Sequence, residues 1–288
     1  RFKGYISQPK GTPASWTKLT YDDYIRRMLS EKSLEEALHL SIKAGGAGAR
    51  VLLLALASSD DELHIKSKED GTRVSDADYA SDKIITEILS PLGIPILSEE
   101  AMIPAFEDRK NWPYYFLIDP LDGTESFLKN RSGFSVNIAL CDATGPIIGI
   151  VADPLSKRIY AGAIRKGFSI YQLDGTRVKT IHSNAIQKPY RLVTSWDERA
   201  GIEDLLPPGI RRTDVIASPV SGALKFCKIA LGEAEIHSRT GTYMEWDCAA
   251  GDAILRSIGI DVYDRHTHNR LKYNSKDLKV HGLYTSKL

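Results

Sequence analysis

The chain is 288 residues long, 42% hydrophobic and 26% charged, the proportions of a globular protein able to bury a sizeable core. A formal net charge of +1 supplies no whole-molecule field for a nucleic acid polymer or a membrane surface, so any anion-binding site must be local. Three cysteines, Cys141, Cys227 and Cys248, stand among apolar or small residues and read as free buried thiols, which excludes a disulfide framework and predicts a reducing, cytoplasmic setting.

The start of the chain lacks the apolar run of a secretory signal, and an organelle address upstream of Arg1 stays open. Residues 33–57 carry apolar side chains at helical spacing, and residues 79–89 do so again. The longest apolar run, residues 51–57, is too short to span a bilayer, so no membrane association is expected. Between the helices, residues 65–75 read as a charged hairpin turning at Asp70-Gly71. Residues 94–97 and 114–118 are short apolar runs bounded by Pro, Gly or acid, the signature of buried strands, and further strands are predicted at 134–141, 147–151 and 158–164.

A polar stretch, residues 181–190, precedes a strand at 191–194 and sets a lobe boundary. Residues 1–185 then form an N-terminal α+β lobe with most of the candidate metal ligands. Residues 186–288 form a C-terminal α/β lobe, in which helix and strand alternate over 198–206, 212–216, 222–231, 234–237 and 247–258. The chain shows no internal repeat or low-complexity tract.

The most informative segment is Tyr115-Phe-Leu-Ile-Asp-Pro-Leu-Asp-Gly-Thr124. Pro120 cannot donate to a ladder and is expected to stop the strand, while Gly123 permits a tight turn. Asp119 and Asp122 can then converge on one point, where paired carboxylates suit a hard divalent cation such as magnesium. The helix predicted over residues 125–130 would offer its amide groups to a phosphate oxygen. The alternative is that both acids merely end a strand and cap a helix. Ser98-Glu99-Glu100 again places acids after a strand, either as ligands or as a solvated surface, and Asp247 opens a small-residue helix, either as N-cap or as ligand.

Leu97-Ser-Glu-Glu100, Asp119-Pro-Leu-Asp-Gly-Thr124 and Trp246-Asp-Cys-Ala-Ala-Gly-Asp-Ala253 resemble, in order and spacing, three signature blocks of the inositol-monophosphatase superfamily. Asp70-Gly-Thr-Arg-Val-Ser-Asp-Ala-Asp78 resembles the segment of that family that ends in its catalytic aspartate. The resemblance implies a mixed α+β and α/β fold, a layered αβαβα sandwich, and hydrolysis of a phosphate monoester by metal-activated water. It also implies that Glu99, Asp119, Asp122, Asp247 and the Leu121 carbonyl hold two or three magnesium ions, and that Asp78 and Thr124 orient and deprotonate the attacking water. Inhibition by lithium at one magnesium position follows from the same likeness.

Within the superfamily, Ser221-Gly-Ala-Leu-Lys-Phe-Cys227 and His237-Ser-Arg239 resemble the substrate block of the 3'(2'),5'-bisphosphate nucleotidases. The likeness implies substrate contacts from Gly123, Thr124, Ser221, Gly222, Lys225, Arg239 and Asp247, with Arg239 offering a fork of donors to a second phosphate. Glu245-Trp246 and Leu271-Lys-Tyr273 also look nucleotidase-like, and Tyr273 is placed either beside an adenine or in the core. Two departures touch substrate preference: Glu125-Ser126 stands where a basic residue and an acid are usual, and Ser132-Gly133 where an acid is frequent.

The expected partner is a small phosphorylated nucleotide, namely 3'-phosphoadenosine 5'-phosphate, with an inositol phosphate as the alternative. Other readings are a glycoside hydrolase using paired carboxylates and a non-catalytic metal-binding module; Asp78 and Thr124 have no use in the latter. His266-Thr-His268 reads as a solvated turn, and Lys66 and Lys68 as coating of the hairpin.

Overall fold

A computed structural model describes residues 31–57, 65–67, 73–130, 133–178, 186–195 and 201–288. Residues 38–288 form one compact unit. The predicted turn at Asp70-Gly71, the lobe boundary near residue 185 and the start of the predicted 198–206 helix lie outside the described residues.

Helix α1 (Glu31–Ala57) precedes a two-stranded antiparallel hairpin, β1 (Ile65–Ser67) and β2 (Arg73–Ser75), and helix α2 (Asp76–Leu89). A seven-stranded sheet follows, in sequential order: β3 (Ile96–Ser98), β4 (Tyr114–Asp122), β5 (Ser135–Asp142), β6 (Gly145–Asp153), β7 (Arg158–Ala163), β8 (Gly167–Gln172) and β9 (Arg177–Val178). Only β3 and β4 run parallel in it; the rest is a meander. Short helices α3 (Phe106–Arg109) and α4 (Thr124–Asn130) flank β4.

The second sheet has the order β11-β10-β12-β14-β13, from β10 (Tyr190–Thr194), β11 (Val215–Pro219), β12 (Ile236–Met244), β13 (Val262–Asp264) and β14 (Lys279–Ser286). β10 is parallel to both β11 and β12, and helix α6 (Leu224–Ala230) makes the crossover between β11 and β12. Helix α5 (Ile202–Leu205) joins β10 to β11, and helix α7 (Glu245–Arg256) follows β12 directly.

Period-two alternation decides what covers the large sheet. A Cβ on Gly45 of α1 would meet Ile138, Ile150 and Ala152, which share one face, whereas Ala139, Cys141 and Val151 share a core cluster with Ala249, Ala250 and Ile254 of α7. The central strands are therefore covered on both faces, which explains their near-continuous apolar runs. The approach of α7 is close: a Cβ at Gly149 of β6 would lie 2.1 Å from the Ala250 carbonyl oxygen. Where α6 and α7 cross, a Cβ at Gly251 would lie 2.2 Å from the Phe226 ring. The outer face of the small sheet buries Leu192, Val215 and Ile236 under Leu205 of α5. The layers thus read helix, sheet, helix, sheet, helix.

Residues 32–57 of α1 are long and apolar enough, by composition, to cross a membrane. In this protein Gly45, Gly46 and Gly48 of that helix abut Ile150, Leu173 and Ile85, the surroundings of a core helix.

Several boundaries differ from the sequence reading. β4 runs on through Pro120 to Asp122, and β12 extends from the predicted 234–237 to Met244. Residues 212–214 form one 3-10 turn before β11, and the predicted 198–206 helix shrinks to α5 among the described residues.

Candidate active site

β4 ends in a one-residue bulge: Asp119 pairs with Asn137 and Asp122 with Ser135, so three steps on β4 match two on β5. Residues three apart on a regular strand point to opposite faces; the extra residue turns Asp122 toward the side occupied by Asp119. Pro120 sits inside the bulge, where its missing N–H breaks no ladder bond. The expected stop at the proline is thus replaced by a bulge that brings the acids together.

Parallel pairing sets Ser98 beside Ile118, and the Glu99 amide donates to the Ile118 carbonyl (3.1 Å), which places Glu99 next to Asp119. From the other side comes Asp247, which occupies the third position of α7 rather than the expected N-cap. Met244 is the N-cap, and its amide donates to Asp247 Oδ2 (2.9 Å). Carboxylate oxygens of Glu99, Asp119 and Asp247 lie within 4.8 Å of one another. Asp122 borders them and is aimed by the Ala223 amide (2.5 Å) and Asn137 Nδ2 (3.0 Å).

Burial, and then the neighbouring Glu99, Asp122 and Asp247, push the Asp119 carboxyl well above the ordinary carboxylate range. Burial, Asp122 and Glu99 do the same to Asp247. Crowded acids of this kind lose their mutual repulsion when a divalent cation sits among them. The donors are all oxygen and are fixed on strand ends and a helix start, so the residues fit a hard cation such as magnesium.

Asp78 lies buried in the first turn of α2, and Thr124 Oγ1 stands 3.2 Å from its Oδ1 and 3.1 Å from the Leu121 carbonyl oxygen. Ser81, one turn on from Asp78, donates to the Pro120 carbonyl (2.9 Å) and ties α2 to the bulge. The Gly123 carbonyl accepts the Phe127 amide (2.9 Å), and its φ of +88° makes the turn into α4.

The substrate candidates divide. Gly222 adopts φ +54°, and a Cβ there would lie 2.4 Å from Asp122 Oδ2, so this glycine lets the loop wrap around a carboxylate. Ser221 Oγ lies 3.5 Å from Ser126 Oγ, across from α4. Lys225 is 2% exposed, so it is not a surface lysine; its Nζ donates to Ser195 Oγ (3.1 Å) and the Val220 carbonyl (3.2 Å). Arg239 donates to the same Ser195 Oγ (2.9 Å) and stacks on Tyr243, with Cζ 3.9 Å from the ring centroid. Tyr273 belongs to the core: its hydroxyl donates to Asp252 Oδ2 (2.9 Å). Glu245 accepts the Asn274 (2.6 Å) and Ser275 (2.8 Å) amides, and buried Arg109 donates to Asn274 Oδ1 (2.5 Å), a knot that seats the start of α7.

Asn137, Ser81, Ser195 and Tyr243 escaped sequence reasoning. Asn137 carried the clearest signal, a lone amide inside the apolar run of β5.

A layered αβαβα sandwich with an oxygen-only acidic centre at a strand bulge defines a sugar-phosphatase-type fold. The chain matches the inositol monophosphatase family over residues 33–286. It is 35% identical, over 80% of its length and 90% of the relative's, to the 3'(2'),5'-bisphosphate nucleotidase CysQ of Salmonella typhimurium. To the same nucleotidase of Escherichia coli K12 it is 33% identical with the same coverage. CysQ of Bacteroides thetaiotaomicron superposes with a TM-score of 0.72 at 24% identity, covering 88% of this chain and 97% of the other. The chain belongs to the inositol monophosphatase family.

Proposed function

We propose that this protein is a magnesium-dependent phosphomonoesterase that removes the 3'-phosphate of 3'-phosphoadenosine 5'-phosphate, giving AMP and phosphate. The observation that carries this reading is the convergence of Glu99, Asp119 and Asp247 beside the Asp78–Thr124 pair, in a chain one-third identical to bisphosphate nucleotidases. Glu99, Asp119, Asp122, Asp247 and the Leu121 carbonyl would hold two or three magnesium ions. When bound, these neutralise the phosphate and acidify the attacking water. Lithium is expected to inhibit by taking one of the positions.

Thr124 accepts a proton from the attacking water while passing its own to Asp78, whose oxygen is already within 3.2 Å. Gly222 and the Ala223 amide keep Asp122 aimed through the reaction. Lys225 and Arg239 bind the second, unreacting phosphate, which an inositol monophosphate lacks. The reading keeps the two-lobe division, with the large sheet supplying most carboxylates and, from the C-terminal lobe, helix α6 and strand β12 the substrate cations. Three buried free cysteines suit a reducing, cytoplasmic setting.

The test is phosphate release from 3'-phosphoadenosine 5'-phosphate, AMP and inositol 1,4-bisphosphate, with and without magnesium and lithium. Magnesium-dependent, lithium-sensitive release from the bisphosphorylated nucleotide is expected. Preference for the inositol ester moves the chain to the inositol phosphatase branch, and turnover unaffected by chelation refutes the mechanism.

A further inference from the structure

We propose that Ser195 is a positioning residue that sets substrate specificity: its hydroxyl fuses the Lys225 ammonium and the Arg239 guanidinium into one receptor for the second phosphate. The proposal deepens the nucleotidase reading and rests on it. Ser195 follows the last residue of β10, between two parallel neighbours, at the strand ends where open α/β sheets bind ligands. Its backbone is anchored on both sides: the Thr194 carbonyl accepts the Val220 amide (2.8 Å), and Thr194 Oγ1 donates to the Ser238 carbonyl (2.9 Å).

The register explains the meeting of the side chains. Val193 pairs with His237, so two residues on, Ser195 and Arg239 emerge on one face, and Lys225 reaches them from the first turn of α6. A serine oxygen has two lone pairs and one proton. Here Lys225 Nζ (3.1 Å) and Arg239 Nη1 (2.9 Å) take the lone pairs, so the proton is directed at Tyr243 Oη (3.4 Å). Because both nitrogens bond one atom, they lie within about 6 Å of each other, the combined length of the two bonds. A phosphate, with several acceptor oxygens, can bridge two donors held that close. Tyr243 completes the device by supporting the guanidinium from below while accepting the serine proton.

Alanine at 195 would leave both cations in place but remove the atom that spaces them. Ser195→Ala is therefore expected to lower the ratio of kcat/KM for 3'-phosphoadenosine 5'-phosphate to that for adenosine 3'-monophosphate about tenfold. The loss should appear in KM rather than kcat, and Ser195→Thr, which keeps the hydroxyl, should recover most of it. Calorimetric binding of AMP, which carries the second phosphate, gives a readout independent of turnover: Ser195→Ala should weaken AMP about tenfold and leave adenosine unchanged.

An unchanged substrate ratio with unchanged AMP affinity overturns the role of Ser195, as does an equal loss on both substrates. A wild type that releases no 3'-phosphate, yet binds AMP in a Ser195-dependent way, overturns the nucleotidase reading and keeps the receptor. A wild type that binds no AMP overturns the receptor, and one that also releases no 3'-phosphate overturns both.

Discussion

Asp122 shows how a single side chain carries the account. It receives the Ala223 amide and Asn137 Nδ2, lies beside the Asp119 cluster, and has a glycine packed against it at residue 222. Asp122→Asn keeps the volume and the acceptor for Ala223 but removes a ligand charge. Turnover should fall at least by the roughly 100-fold seen when even an outer metal partner is lost, while the thermal melt stays within a few degrees of wild type. Wild-type rates in that variant would refute the metal assignment. The acids were legible in the sequence because each follows an apolar strand or opens a small-residue helix. Their bulge was not, since Pro120 reads locally as a stop. Ser195 was silent for a similar reason: a serine after a strand acquires meaning only when Lys225 and Arg239, far along the chain, meet its oxygen.

At the scale of elements, α7 binds the two sheets and reports its packing in two measurable ways. Gly149→Ala places a methyl against the Ala250 carbonyl and Ala253 Cβ, and should destabilise the protein by about 1–3 kcal/mol in urea unfolding. Asp252, buried in α7, is pushed up to about 7, chiefly by burial and against the Tyr273 hydrogen bond. Its folded value is raised above the unfolded 3.8, so the folded state keeps a proton that the unfolded state has released. Wild-type stability therefore falls as pH rises from about 4 to about 7 and levels off above that. Asp252→Asn removes this slope, gaining about 2–4 kcal/mol on wild type between pH 4 and pH 8. Parallel stability curves for the two proteins would contradict the buried protonated carboxyl. The long helices were legible from periodicity, and β4 to β7 from their apolar runs. β8, β9, β13 and β14 were not, because short or half-exposed strands such as Val262–Asp264 owe their pairing to neighbours rather than to a local pattern.

For the whole molecule, the proposed magnesium site predicts a coupling of stability to the cation. Asp119 and Asp247 both have raised folded values, so the metal-free protein loses stability as pH rises through and above the ordinary carboxylate range. Magnesium requires the ionised forms and opposes that loss. The melting temperature gained from saturating magnesium should thus be several degrees at pH 8 and small at pH 5. A gain independent of pH would place the cation elsewhere. The layered architecture was legible because four motif blocks in fixed order belong to one fold; the second sheet's outer strands and the bridge at Ser195 depend on contacts that no local pattern carries. The most direct test of the central claim is phosphorus NMR of 3'-phosphoadenosine 5'-phosphate turning over with magnesium. Loss of the 3'-phosphate signal alone, with AMP and inorganic phosphate appearing and chelator halting both, is the predicted result. Loss of the 5'-phosphate, or continued release in chelator, would contradict the account.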